Sequence, residues 1–179
     1  MVEIIIHNKD GFAATVEIDE QNGAPAGSTT HNITDTDMST EDSPTTDPVA
    51  FPVTPGNNTM EKWQKIDVTA MGGSSKIDNL KIWRTSALGG SATHLTNARE
   101  STYGGAETYA QPTVSSSSIA TQTMPTSEPS GANLGIGGSL TGALTATGQS
   151  DYLVHQIQTA GGDVAGSTST MNYQYDETA

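Results

Sequence analysis

Four histidines are the residues of this chain best suited to metal or acid–base chemistry, because imidazole titrates near neutral pH and binds transition metals. They are His7, His31, His94 and His155. They stand in four different segments, and none has the spacing of a zinc motif. His155 shares a strand face with Leu153 and Ile157, which indicates a hydrogen-bonded histidine in the interior or at an interface. We assign no metal ligand and predict structural or surface roles for all four.

One dense group of carboxylates lies between Asp35 and Asp42, in the sequence Asp-Thr-Asp-Met-Ser-Thr-Glu-Asp. Carboxylate oxygens at such spacing are ligands that Ca²⁺ accepts. The segment lacks the glycine and the terminal glutamate of the twelve-residue calcium loop. We therefore predict a solvated acidic loop and keep calcium binding as the alternative.

Motifs for nucleophilic and phosphate chemistry are missing from the sequence. There is no Gly-x-Ser-x-Gly elbow around any serine, no Gly-x-Gly-x-x-Gly that opens a helix, and no phosphate-binding loop. Paired carboxylates for glycoside hydrolysis meet only in the fold, so spacing cannot reveal them. The sequence predicts no catalytic residue, no cofactor and no enzymatic activity.

The two tryptophans, Trp63 and Trp83, allow two interpretations. Exposed together, they would form a platform on which a sugar ring stacks. On regular strands, aromatic side chains more commonly fill the core. We predict that at least one of them is a core residue.

Charge and composition exclude several kinds of partner. The chain has 7 Lys and Arg against 20 Asp and Glu, a net charge of −13, and no cysteine. Such a chain lacks the positive surface that nucleic acids and anionic membranes require, and it uses no disulfide or thiolate metal site. The opening Met-Val-Glu-Ile-Ile-Ile-His has neither the charged nor the apolar region of a signal peptide, so we expect a protein made without export.

The apolar content is low for a protein that folds alone. Leu, Ile, Val and Phe make up about 16% of the residues, which falls in the range of disordered chains. The clean alternation of several segments argues against disorder. We resolve the conflict with a thin-cored β protein that gains buried area from other copies of itself.

Alternating segments predict seven to nine short strands and no helix, which is typical of an antiparallel β-sandwich or jelly roll. The clearest strands are 2–7, 12–18, 63–70, 77–84, 151–158 and 169–175. Weaker strand candidates are 92–98, 107–114 and 117–124, and Leu134, Ile136, Leu140 and Leu144 are expected to pin the Gly-rich stretch 131–148 to the core.

Two hairpins are predicted at the ends of the chain. Asp10-Gly11 lies between the first two strands, and Asp-Gly is a strong short-hairpin signal. A Gly-rich loop, 159–167, separates the last two strands. The expected organisation is an N-terminal hairpin over 1–18, an extended polar arm or loop over 19–61, and a β-sandwich domain over 62–179.

The end of the chain resembles a known type of protein. The sequence Ser150-Asp-Tyr-Leu-Val-His-Gln-Ile-Gln158, a Gly-rich loop, and then Met171-Asn-Tyr-Gln-Tyr-Asp-Glu177 resembles the closing hairpin of small structural proteins of tailed bacteriophages. Ile77-Asp-Asn-Leu-Lys-Ile-Trp83 resembles a mid-domain strand of that group. The likeness covers about forty residues and does not extend to the predicted arm.

The resemblance implies a non-enzymatic virion protein with a β-sandwich fold, made in the host cytoplasm. The preferred role is capsid decoration, in which the protein binds the major capsid protein of the assembled shell and stabilises the lattice, with its arm reaching a neighbouring subunit. A tail or neck component is one alternative. A carbohydrate-binding or adhesive module is another, and it would need an exposed tryptophan.

Overall fold

The computed structural model describes residues 2–22, 28–42, 49–100, 119–164, 166 and 168–179, and these contain strands and no helix. The strands are β1 (Val2–Asn8), β2 (Thr15–Gln21), β3 (Thr29–Thr30), β4 (Asp35–Thr36), β5 (Lys62–Ala70), β6 (Lys76–Arg84), β7 (Thr93–Glu100), β8 (Gln122–Thr123), β9 (Gly148–Gln149), β10 (Tyr152–Gln158) and β11 (Ser169–Thr178). The predicted all-β fold class is confirmed. The 107–114 strand candidate lies outside the described residues.

Two sheets pack face to face. Sheet A has the order β4-β1-β11-β6, and sheet B has the order β3-β2-β5-β10-β7-β8, with β9 also on β5. All pairs are antiparallel except β1 and β11, which are parallel. The core between the sheets takes Ile18, Ile66 and Leu153 from sheet B and Met171 and Tyr173 from sheet A. The arrangement is a β-sandwich.

Both predicted hairpins are wrong. β1 lies in sheet A and β2 in sheet B, while β10 lies in sheet B and β11 in sheet A. Each connection therefore crosses from one sheet to the other. At the N-terminal crossing, the Glu177 carboxylate accepts hydrogen bonds from the backbone N–H groups of Phe12 and Ala14, at 2.6 and 2.9 Å. The turn that Asp10-Gly11 starts is thereby tied to the end of β11.

The predicted arm over 19–61 is also wrong for the residues that the structure describes. Its start belongs to β2, and β3 and β4 lie within it. Ile33, Thr36 and Ser39 are buried, and Met60 N–H donates to Ser39 O at 2.8 Å. The segment folds onto its own chain. The division at 18 and 61 therefore does not separate structural units, because both sheets mix strands from the proposed parts.

The last strand is more enclosed than its alternating pattern predicts. Met171, Tyr173 and Tyr175 face the core as expected, but Asn172 and Gln174 on the opposite face are only 5% and 2% exposed. β11 lies between β1 and β6, so long neighbouring side chains cover its outer face. In the Gly-rich stretch, Leu134 enters the core and Ile136 and Leu144 pack against it, whereas Leu140 lines a surface groove.

Candidate functional site

An apolar cleft of about 180 Å³ forms where the segment before β5 meets two loops, one between β6 and β7 and one between β10 and β11. Its rim carries Val164, which is 86% exposed. Val49 and Phe51, just before the cleft-lining Pro52, are 83% and 41% exposed. The cleft is lined by Val2, Met38, Pro52, Val53, Pro55, Thr59, Leu88, Gly89, Ala92, Ile157, Thr159, Asp163, Val164, Gly166 and Ser169. Exposed apolar side chains around a concave surface indicate a protein-docking site.

Polar contacts hold the cleft walls in place. The Asp163 carboxylate accepts hydrogen bonds from Ala160 N–H and Ser91 N–H, both at 2.7 Å, and these bonds lower the pKa of Asp163. Asp163 thus joins the two loops. Gly90 allows this approach because its φ is +71° and any Cβ there would collide with the Asp163 carboxylate. The cleft is therefore formed within the isolated chain.

A buried polar network joins the two sheets. Glu20 Oε2 accepts hydrogen bonds from Gln64 Nε2 at 2.7 Å and from Thr36 Oγ1 at 2.8 Å. Lys62 Nζ lies 3.9 Å from Glu20 Oε1, and both side chains are fully buried. Tyr173 in sheet A donates to Gln64 Oε1 at 2.6 Å. The network fixes β4 and the central strands of both sheets relative to one another.

The electrostatics of this network depend on burial. Loss of hydration raises the pKa of Glu20 and lowers the pKa of Lys62, and the charge of each partner opposes part of the other's shift. Lys62 Nζ also donates to Glu41 O at 2.9 Å. The lysine therefore anchors the acidic segment to β5.

The acidic segment is not the solvated loop that its composition predicts. Thr36, Asp37 and Ser39 are buried, and burial raises the pKa of Asp37. Within the described residues, the carboxylates of this segment do not converge into a metal-binding group. Calcium binding by the 35–42 segment has no support in this geometry.

The outer face of sheet A presents a second surface. Trp83 and His7 stack with ring centroids 5.5 Å apart and planes 19° apart. His7 Nε2 lies 2.9 Å from Asn172 Oδ1. Ile5, the register partner of Asn172 across β1 and β11, is 38% exposed. Trp83 is half-buried, whereas Trp63 is fully buried and packs edge-on against Tyr152 with centroids 5.6 Å apart. The prediction of at least one core tryptophan is confirmed by Trp63.

Two of the histidines meet in the interior, which their spacing in the sequence could not reveal. β7 and β10 pair antiparallel, and His94 Nε2 lies 2.9 Å from His155 Nδ1. Burial lowers the pKa of His155 to about 3 and that of His94 well below its usual value, so the pair is neutral at neutral pH. The prediction of an interior, hydrogen-bonded His155 is confirmed. Because both rings are buried and neutral, the pair contributes to the packing of the interior.

The remaining histidine, His31, lies at the outer face of sheet B beside carboxylates of β2. Its Nδ1 is 2.7 Å from Asp19 Oδ2 and 3.9 Å from Glu17 Oε1. Its side chain is 63% exposed, while that of Asp19 is 1% exposed. Sequence reasoning assigned His31 a structural or surface role and did not single out Asp19 or Glu17.

Comparison of the chain with protein family models, with curated proteins and with solved structures found no match. None of the described residues forms a helix that is long and apolar enough to cross a membrane.

Proposed function

We propose that this protein is a non-enzymatic structural component of a virion, of the capsid-decorating type. It would dock onto the major capsid protein of the assembled shell and stabilise the lattice by binding the assembled state alone. A tail or neck location would use the same kind of contact. The observation that carries the proposal is the apolar cleft with its exposed rim.

Two properties of the cleft support docking to a protein. Its lining is mostly aliphatic, with Val2, Met38, Val53 and Leu88 among its side chains. Its walls are fixed by Asp163 and by Thr159, whose Oγ1 accepts from Gly56 N–H at 2.9 Å and donates to Asn57 O at 2.8 Å. A pre-formed apolar cleft loses little conformational entropy when a partner enters.

The segment 49–61 acts here as a wall of the cleft. Pro52, Val53, Pro55 and Thr59 line it, and Thr59 N–H donates to Ile157 O at 2.9 Å. The prolines restrict the backbone of this wall and lower the entropy lost on folding. The segment would therefore contribute to docking by shaping the cleft.

We expect the purified protein to form a closed homo-oligomer, with a trimer favoured. The small apolar content leaves each chain with little core to bury, and contact between copies adds buried area. Light scattering coupled to size exclusion should give about 55 kDa, three times the 18.5 kDa of one chain. If light scattering gives the mass of a single chain at every concentration, the protein is a monomer and the expected homo-oligomer is wrong.

A second candidate function has an observation of its own. The stacked Trp83–His7 pair and the neighbouring Asn172 combine an aromatic face with hydrogen-bonding groups, which is the chemistry that binds neutral sugars. If the protein is a carbohydrate-binding module, a glycan array should show binding that Trp83→Ala abolishes and that Phe12→Ala, which removes another partly exposed aromatic, retains. An array without binding would discard this candidate.

A further inference from the structure

Four metal-ligating side chains converge on the outer face of sheet B. Glu17 and Asp19 come from β2, Asp67 comes from β5, and His31 comes from the connection after β3. One donor atom from each lies within 4.8 Å of the donor atoms of the other three. Residues from three segments thus form one cluster of three carboxylates and an imidazole.

Strand register builds the cluster. Glu17 and Asp67 are direct partners across β2 and β5, and Glu17 and Asp19 are two residues apart, so all three side chains share a face. Asp19 Oδ1 accepts a hydrogen bond from Asn32 N–H at 3.3 Å, which brings the adjacent His31 over the carboxylates. The sheet therefore fixes the carboxylates, and the connection after β3 supplies the imidazole.

The cluster concentrates carboxylates on one face of sheet B. Like charges directly opposite each other on paired strands are destabilising, and Glu17 and Asp67 stand in that relation. Within the described part of the chain, no Lys or Arg forms an ion pair with Glu17, Asp19 or Asp67. Lys65, the register partner of Asp19, lies over the Tyr152 ring and donates to Gln149.

A supporting group orients one of the carboxylates. Gln149 Nε2 donates to Asp67 Oδ2 at 2.9 Å, and Gln149 Oε1 accepts from Lys65 Nζ at 2.5 Å. Hydrogen bonds that orient ligating carboxylates are a regular feature of metal sites. The other oxygen of Asp67 stays available to a ligand.

We propose that Glu17, Asp19, His31 and Asp67 bind one divalent transition-metal ion, Zn²⁺ or Mn²⁺. These ions accept imidazole together with carboxylate, whereas Ca²⁺ and Mg²⁺ prefer oxygen ligands alone. At metal–ligand distances near 2.1 Å, ligand atoms around one ion lie roughly 3–4.3 Å apart, which fits the size of the cluster. The ion replaces the His31–Asp19 hydrogen bond, and the exposed His31 ring is free to make that adjustment.

Binding can be measured on untagged full-length protein after removal of metals with EDTA and dialysis. Calorimetric titration and thermal melts with ZnCl₂, MnCl₂, CaCl₂ and MgCl₂ should show one equivalent of Zn²⁺ or Mn²⁺ bound and a higher melting temperature. The proposal is overturned if neither Zn²⁺ nor Mn²⁺ binds at one equivalent, or if Ca²⁺ or Mg²⁺ binds more tightly than both.

Substitutions in the cluster should stabilise the metal-free protein and weaken metal binding. Without metal, Glu17→Gln and Asp67→Asn relieve repulsion and should raise the melting temperature by about 1–3 °C. With metal, both variants and His31→Gln should bind at least ten-fold more weakly. Glu3→Gln removes the same charge from sheet A and should bind like the wild type. Unchanged affinity in the three cluster variants would place any bound ion elsewhere and overturn the assignment.

Discussion

Lys62→Met should lower the free energy of unfolding by about 3–5 kcal/mol at pH 8, because it leaves the Glu20 carboxylate buried without its cation. The methionine fills much of the same space, so the loss reports the polar contacts of Lys62, namely the charge beside Glu20 and the hydrogen bond to Glu41 O, rather than a cavity. Urea denaturation of the wild type and the variant measures it. Lys76→Met, which breaks an exposed pair with Asp78, should change stability by less than about 1 kcal/mol.

The same variant has a defined pH dependence. Burial raises the pKa of Glu20 above that of the unfolded chain, and loss of the Lys62 charge raises it further. Protonation of Glu20 therefore favours the folded state at low pH, and that stability is lost as pH rises through the raised pKa. The deficit of Lys62→Met should shrink between pH 8 and pH 5. A deficit that grows as pH falls would contradict this description of the buried pair.

The double variant Glu20→Gln, Lys62→Met tests whether Glu20 and Lys62 are energetically coupled. The new amide keeps an oxygen for the hydroxyl of Thr36 and removes the unpaired charge. The double variant should recover most of the stability that Lys62→Met loses, because neutral replacement of both partners avoids a buried unpaired charge. If the two substitutions are simply additive, Glu20 and Lys62 are not energetically coupled.

Val164→Asp should weaken docking to the shell about 30- to 1000-fold, which corresponds to roughly 2–4 kcal/mol. Val164 is 86% exposed in the free chain and lines the cleft, so an aspartate there has little effect on folding but must lose its hydration when the cleft is covered. Co-sedimentation of protein with shells that lack decoration, over a range of concentrations, gives the two dissociation constants.

Thr145 offers a control for that substitution. It is exposed, lies in the Gly-rich stretch 131–148, and is not among the residues that line the cleft. Thr145→Asp adds the same negative charge and should therefore dock within a few-fold of the wild type, and thermal melts should show both variants folded. Equal weakening by the two variants would mean that added negative charge, rather than the cleft, controls docking.

The strands could be predicted from the sequence, whereas their partners could not. Alternation in residues 152–158 and 169–175 defines an inward face for each strand. Leu153 of β10 and Met171 and Tyr173 of β11 do face the core between the sheets, although both strands are also buried on the opposite face. An inward face suits either sheet of a sandwich equally well. The choice between a hairpin and a crossing depends on the whole packing of the core, which local turn signals such as Asp10-Gly11 do not contain.

The side-chain clusters were less accessible to sequence reasoning for a related reason. His94 and His155 meet only because β7 pairs with β10, and Glu17 meets Asp67 only because β2 pairs with β5. Nothing in the sequence around Glu20 or Lys62 indicates burial, and the two residues become a buried pair because β2 pairs with β5. Contacts between distant segments need the strand order, which one sequence does not supply.

The melting temperature of decoration-free shells, measured by calorimetry with increasing amounts of this protein, tests the proposed function most directly. Binding to the assembled lattice alone must raise the shell's melting temperature. We expect a rise that saturates at a fixed number of chains per capsomer and that is much reduced with Val164→Asp. A shell transition that stays unchanged in excess wild-type protein would contradict the proposal that this chain stabilises a capsid.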